Sequence, residues 1–249
     1  MLFIFRQLRR SFFLPGKLRT YLAYAIGEIL LIVIGILIAV QIGDWQDARK
    51  LDRQRLELIE NLKVDFQTNV ERLDASLEKA DIYNPQLLKF LQLATVDNRH
   101  LTVDELKLLA VNTFLPIRFR AALGTYQSAR DDGSFSLIAD PALTELFINF
   151  EESYAYYLTN QNLDRETVLT GEAMTIRRSL GSIAVVSENR PIEPPEAYRK
   201  FGQEYRDMIA REEIYGFFEL MYQIKMNQQL NLEDARKTSK QILSSLNEL

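Results

Sequence analysis

A single carboxylate, Glu28, interrupts an otherwise apolar run from Tyr21 to Ile42. Three roles are open to an acid in that setting. It can contact a neighbouring helix, protonated or paired; it can relay protons or ions; or it can reach back to the headgroups, neutralised by Lys17 or Arg19. Gly35, Ala39 and Gly43 follow at intervals of four, and small residues so spaced let two helix backbones approach closely. Glu28 precedes Gly35 by two helical turns, so all four share nearly one face.

Elsewhere, residues able to do chemistry are sparse. The chain has no Cys, which excludes disulfides, thiolate chemistry and Cys-ligated zinc or iron–sulfur centres. Its one histidine, His100, sits beside Arg99 in a polar stretch. Glu151-Glu152 and Glu212-Glu213 are adjacent pairs that point to different faces of a helix and read as solvated charge. Tyr154, Tyr156 and Tyr157 could line a pocket, but aromatics at helical spacing ordinarily build a core. There is no phosphate-binding glycine loop and no nucleophile elbow. The residues therefore argue against an enzyme and name no cofactor or metal.

The element that must position Glu28 is a membrane span. Tyr21 to Ile42 would form a helix of about 33 Å, close to the roughly 30 Å hydrocarbon thickness. A buried helix of a water-soluble fold is the alternative, yet no other stretch approaches this hydrophobicity. A cleaved signal sequence also fits the basic start, but Ile38-Ala39-Val40-Gln41-Ile42 offers no small-x-small exit, so an uncleaved anchor is expected. Tyr21 and Tyr24 suit the inner interface and Trp45, the only tryptophan, the outer one. The domains expected are a basic amphipathic segment (1–20), the span (21–43) and a helical domain (44–249).

Charge sets the orientation. Residues 1–20 hold Arg6, Arg9, Arg10, Lys17 and Arg19 and no acid. By the positive-inside rule they are cytoplasmic, and residues 44–249 lie across the membrane, in the periplasm of a bacterium. Of the 30 basic and 34 acidic residues, those five and Glu28 precede residue 43, which leaves 43–249 at a formal −8. An acidic domain has no footprint for nucleic acid.

Tyr24-Ala25-Ile26-Gly27-Glu28-Ile29, the run Val33 to Ala39, then Gln41-Ile42 and Trp45, together with Gly133-x-Phe135-x-Leu137-Ile138, Asp140 and Leu143, resemble an uncharacterised bacterial membrane family, domain of unknown function 6090. The chain departs from that pattern at Gly43-Asp44, where Asn-Asn is expected, and at Asp132, where Ser is expected. The resemblance implies a one-span anchor with a helical domain, and no reaction.

The rest reads as all-α. Leu51, Leu58/Ile59, Leu62, Phe66, Val70, Leu73, Leu77 and Ala80 make a helical stripe close to a heptad. It fits the core-facing side of a long helix that continues the span, or a coiled coil between protomers. Pro85 is expected to break that helix, a short one following over Gln86–Ala94. Thr102 to Glu105 is a capping box, Pro116 opens a helical segment to about Arg130, and Asp131 to Ser134 make a turn. Asp140-Pro141 starts the next helix, and another covers Asp164 to Leu180. Ile183 to Val186 suggests a short strand, and Asn231 is read as the cap of a last helix, Leu232–Leu249. An irregular bundle around the juxtamembrane helix follows. The function expected is interaction: self-association, or attachment to a membrane-protein partner, in contact with membrane lipid. Ligand sensing outside the cytoplasm, relayed through a partner, is the alternative.

Overall fold

The computed structural model describes residues 17–94, 102–138, 140–180 and 202–249. Among these there are helices and loops and no strand, so the all-α reading holds. Residues 1–16 of the expected basic amphipathic segment, His100 and the strand expected at Ile183–Val186 lie outside the described residues, as do the side chains of Lys17 and Arg19.

Among the described residues seven α-helices appear in order: α1 Lys17–Ala94, α2 Val103–Val111, α3 Gly124–Asp131, α4 Pro141–Thr167, α5 Gly171–Leu180, α6 Gly202–Ile209 and α7 Glu212–Glu248. Short 3-10 turns occupy Asn112–Phe114 and Ser134–Leu137. The chain divides into two compact units, one up to Glu57 and one from Leu58 to Leu249. In the first, every apolar residue of α1 from Ile29 to Ile42 is exposed.

In the second unit, the stripe of α1 is buried from Leu58 to Ala80, against α4 and the C-terminal half of α7. Leu62, Phe66 and Leu73 are fully buried with Phe147, Phe150 and Leu246. The stripe thus faces this chain's own core, and Leu51 at its start is exposed. Phe66 meets Phe147 and Phe150 edge-on at 5.1 Å, the arrangement that ring quadrupoles favour. A second core joins Leu87 and Phe90 of α1 to Phe217, Phe218 and Met221 of α7.

Pro85 does not end α1. A proline inside a helix costs about 3 kcal/mol. Burial of Leu87, Phe90 and Leu91 just beyond it offsets that, at about 1.5–3 kcal/mol per large side chain. Asn231 likewise caps nothing: it lies inside α7, and its amide donates to the Asn227 carbonyl at 2.8 Å. Leu232 and Ala235 continue the buried face, so packing carries the helix through. The segment from Pro116 is not helical until Gly124. Ile117 and Phe119 are buried while Arg118 and Arg120 are exposed, a period-two alternation that the helical expectation missed.

Local signals elsewhere held. Thr102 and Glu105 cap each other's backbone N–H, as a capping box requires. The Asp140 carboxylate accepts from the N–H groups of Ala142 and Leu143, with Pro141 at the first helical position. Gly133 has φ +79°, the left-handed value that favours glycine at the turn before Ser134–Leu137. The helical reading of Asp164 to Leu180 is interrupted between Thr167 and Gly171, where the Thr170 hydroxyl donates to the Thr167 carbonyl.

Candidate functional site

Two surfaces merit attention, one in each unit. The first is the face of α1 that the sequence singles out. Glu28, Gly35, Ala39 and Gly43 all lie on α1 and all are exposed. At about 100° per residue, Glu28 and Gly35 are about 20° apart around the axis, and Gly35 and Ala39 about 40°. A Cβ added at Gly35 or Gly43 would meet nothing within 4 Å. Among the described residues nothing therefore requires glycine at either position. Tyr21, Tyr24 and Trp45 are exposed as well, and the Arg49 guanidinium sits 4.1 Å above the Trp45 ring, a cation–π contact. Among the described residues this is one helix long and apolar enough to cross a membrane, by length and composition. Its most apolar 18-residue window has a mean hydropathy of 2.6, and none of it is buried.

The second surface escaped the sequence reading. The non-helical segment 116–123 runs antiparallel to α1 and is stitched to it by side chains. Ser76 Oγ donates to the Arg118 carbonyl at 2.9 Å and Arg72 Nη1 to the Arg120 carbonyl at 3.0 Å. The Asn69 amide donates to the Ala122 carbonyl at 2.9 Å and accepts from the Ala122 N–H at 2.6 Å. The Asp65 carboxylate accepts from the Thr125 N–H at 3.0 Å, in the first turn of α3. Backbone groups that would be paired within a sheet are thus satisfied by one helix face.

From the other side, Tyr157 of α4 clamps the same segment. Its buried hydroxyl accepts from the Phe119 N–H at 2.7 Å and donates to the Ile117 carbonyl at 2.9 Å. Gln161 Nε2 donates to it at 2.7 Å. Burial pushes this phenol up to about 12, although the Phe119 N–H pulls the other way.

Beside the clamp lies a groove of about 740 Å³, lined by Phe114, Phe119 and Tyr154 and by Arg118, Arg120 and Arg165. None of the three arginines forms an ion pair with a described residue. Asp164 also lines it, but that carboxylate is already engaged: Lys225 Nζ lies 3.3 Å away and Gln228 Nε2 donates to it at 3.2 Å. Lys225 is fully buried and also donates to the Leu115 carbonyl at 3.0 Å. Burial holds its ammonium below the usual lysine range, opposed by Asp164. Asn84, Lys225 and Gln228 form a polar layer at the level where α1 and α7 pass from one apolar core to the other.

The carboxylate pairs behave differently from each other. Glu151 is not merely solvated: Arg130 Nη1 lies 2.9 Å from it, and the Tyr126 hydroxyl 3.4 Å. Burial raises the Tyr126 phenol, countered by its bond to Arg130. Among the described residues, no group of three or more acids and histidines is placed to hold a metal ion.

The model of a family of unknown function, DUF6090, matches residues 28–169, more than half the chain. The chain belongs to this family. No curated protein and no solved structure matches it. The DUF6090 match begins at Glu28 and takes in the small-residue face of α1, the stitched segment and all three groove arginines. Tyr21 and Tyr24 precede it, and Lys225 and Gln228 follow it. Membership brings no reaction with it.

Proposed function

We propose that this DUF6090 chain is a single-pass membrane protein whose work is binding rather than catalysis. In this reading α1 crosses a bacterial cytoplasmic membrane near residues 21–43, with residues 1–20 in the cytoplasm and 44–249 in the periplasm. The face of Glu28, Gly35, Ala39 and Gly43 then joins a second copy of the chain or a membrane-protein partner. Tyr21, Tyr24 and Trp45 seat the helix at the two interfaces.

One observation carries the reading: the most apolar stretch of the chain is entirely exposed on one helix. Water cannot solvate that surface cheaply, at roughly 25 cal/mol per Å² of apolar area, so lipid or protein must cover it. The five basic residues before the span supply the orientation. An acid inside the bilayer costs about 2.5–3.5 kcal/mol on insertion scales, which favours a protein-facing position for Glu28. Close approach by a partner helix gives Gly35 and Gly43 a reason to be small.

Alkaline washing of native membranes, followed by protease treatment of spheroplasts, tests the anchor and its direction. The chain should stay with the membrane and lose residues beyond the span to external protease. Release by the wash, or digestion only in inverted vesicles, would overturn the reading.

A further inference from the structure

The groove of the second unit is independent of the helix face above, and its chemistry is specific. We propose that it binds a small organic anion, a carboxylate or phosphate ester carried on an apolar or aromatic body. Its volume of about 740 Å³ falls within the roughly 300–1,000 Å³ typical of small-molecule sites. Phe114 and Tyr154, both half-buried, and the buried Phe119 supply an apolar lining. Arg118, Arg120 and Arg165 bring three positive charges to its lining, each without an ion pair to a described residue. The one acid of the lining, Asp164, is matched by Lys225.

The sign of this charge runs against the chain. Residues 43–249 carry a formal −8, yet the groove gathers three arginines and no unmatched acid. A guanidinium offers two parallel N–H groups to a carboxylate or phosphate, so an anion is the complementary occupant. The apolar share of the wall asks for more than a bare inorganic ion. The site is also preorganised: Ser76, Arg72 and Tyr157 fix the backbone at Arg118, Phe119 and Arg120, so little ordering accompanies binding. Soluble metabolites and anionic phospholipids both carry this chemistry.

Titration calorimetry on the full chain in nonionic detergent tests it, with phenyl phosphate and benzoate as probes and benzyl alcohol as the neutral control. The anions should bind saturably and the alcohol should not. Arg118→Gln, Arg120→Gln and Arg165→Gln should each weaken binding on the order of tenfold, the loss of one charged hydrogen-bonding group. Their side chains take no part in the stitching of the segment, so the melting temperature without ligand should hold, and Arg165→Lys should keep more affinity than Arg165→Gln. Absence of saturable binding at millimolar concentration, equal binding of the alcohol, or affinity unchanged in all three variants would overturn the proposal. In nanodiscs, weaker probe binding with phosphatidylglycerol than with phosphatidylcholine assigns the site to a lipid headgroup; equal binding assigns it to a soluble anion. Gly35→Leu should leave probe binding unchanged, so a failure here is separate from a failure of the α1 reading.

Discussion

Tyr157 makes three hydrogen bonds with one hydroxyl, and two of them hold the segment beside the groove. Tyr157→Phe should cost about 1–3 kcal/mol, because it leaves the Phe119 N–H and the Ile117 carbonyl buried and unpaired. The pH dependence has a definite sign. The folded phenol keeps its proton up to about 12, while an ordinary tyrosine loses it near 10. Its contribution is therefore complete below pH 10 and is lost as pH rises through 12. Urea midpoints measured across that window should fall for the natural chain and fall less for Tyr157→Phe. Lys225 and Asp164 make a second case. Asp164→Asn should destabilise by about 3–5 kcal/mol, by leaving a buried ammonium without its counter-charge, whereas Asp164→Leu with Lys225→Met should come out near neutral. Denaturant melts of the three chains check this. Neither residue stood out in the sequence, because Lys225 lies in an otherwise ordinary amphipathic pattern and its partner is 61 residues away.

Helices were legible wherever the signal was local. The capping box at Thr102, the Asp140-Pro141 start and the stripe from Leu58 to Ala80 depend on neighbours within two turns, and each appears as read. Misreadings arose where tertiary packing outweighed a local rule. Pro85 and Asn231 are helix-breaking or capping residues only where nothing beyond them is buried. The segment 116–123 carried a legible clue, the alternation Ile117-Arg118-Phe119-Arg120, but a non-helical segment outside any sheet needs hydrogen-bond partners that no local pattern announces. Here they come from Asn69, Arg72 and Ser76, whose seven-residue span rises about 10 Å along the helix, within the reach of four near-extended residues. Asn69→Ala should cost about 2–3 kcal/mol, since both polar groups of Ala122 lose their partner. Hydrogen exchange should quicken at Ala122 in that variant before it quickens in α4.

For the whole molecule, family membership names no biochemical role, and the exposed apolar helix is what supports an anchor. The α1 face was readable in the sequence because it needs only one helix; the groove was not, because it draws on two separated stretches, 114–120 and 154–168. The central claim is that α1 binds protein through Glu28, Gly35, Ala39 and Gly43. Intact-mass measurement after extraction in mild detergent tests it most directly. The natural chain should appear above its single-chain mass of 28.9 kDa, as a multiple of it or with a co-purifying membrane protein. Gly35→Leu should shift it to the single-chain mass without loss of fold, since a Cβ added there meets nothing among the described residues, and Glu28→Leu should likewise change the assembly. A natural chain found only at 28.9 kDa, with no partner, would contradict the account.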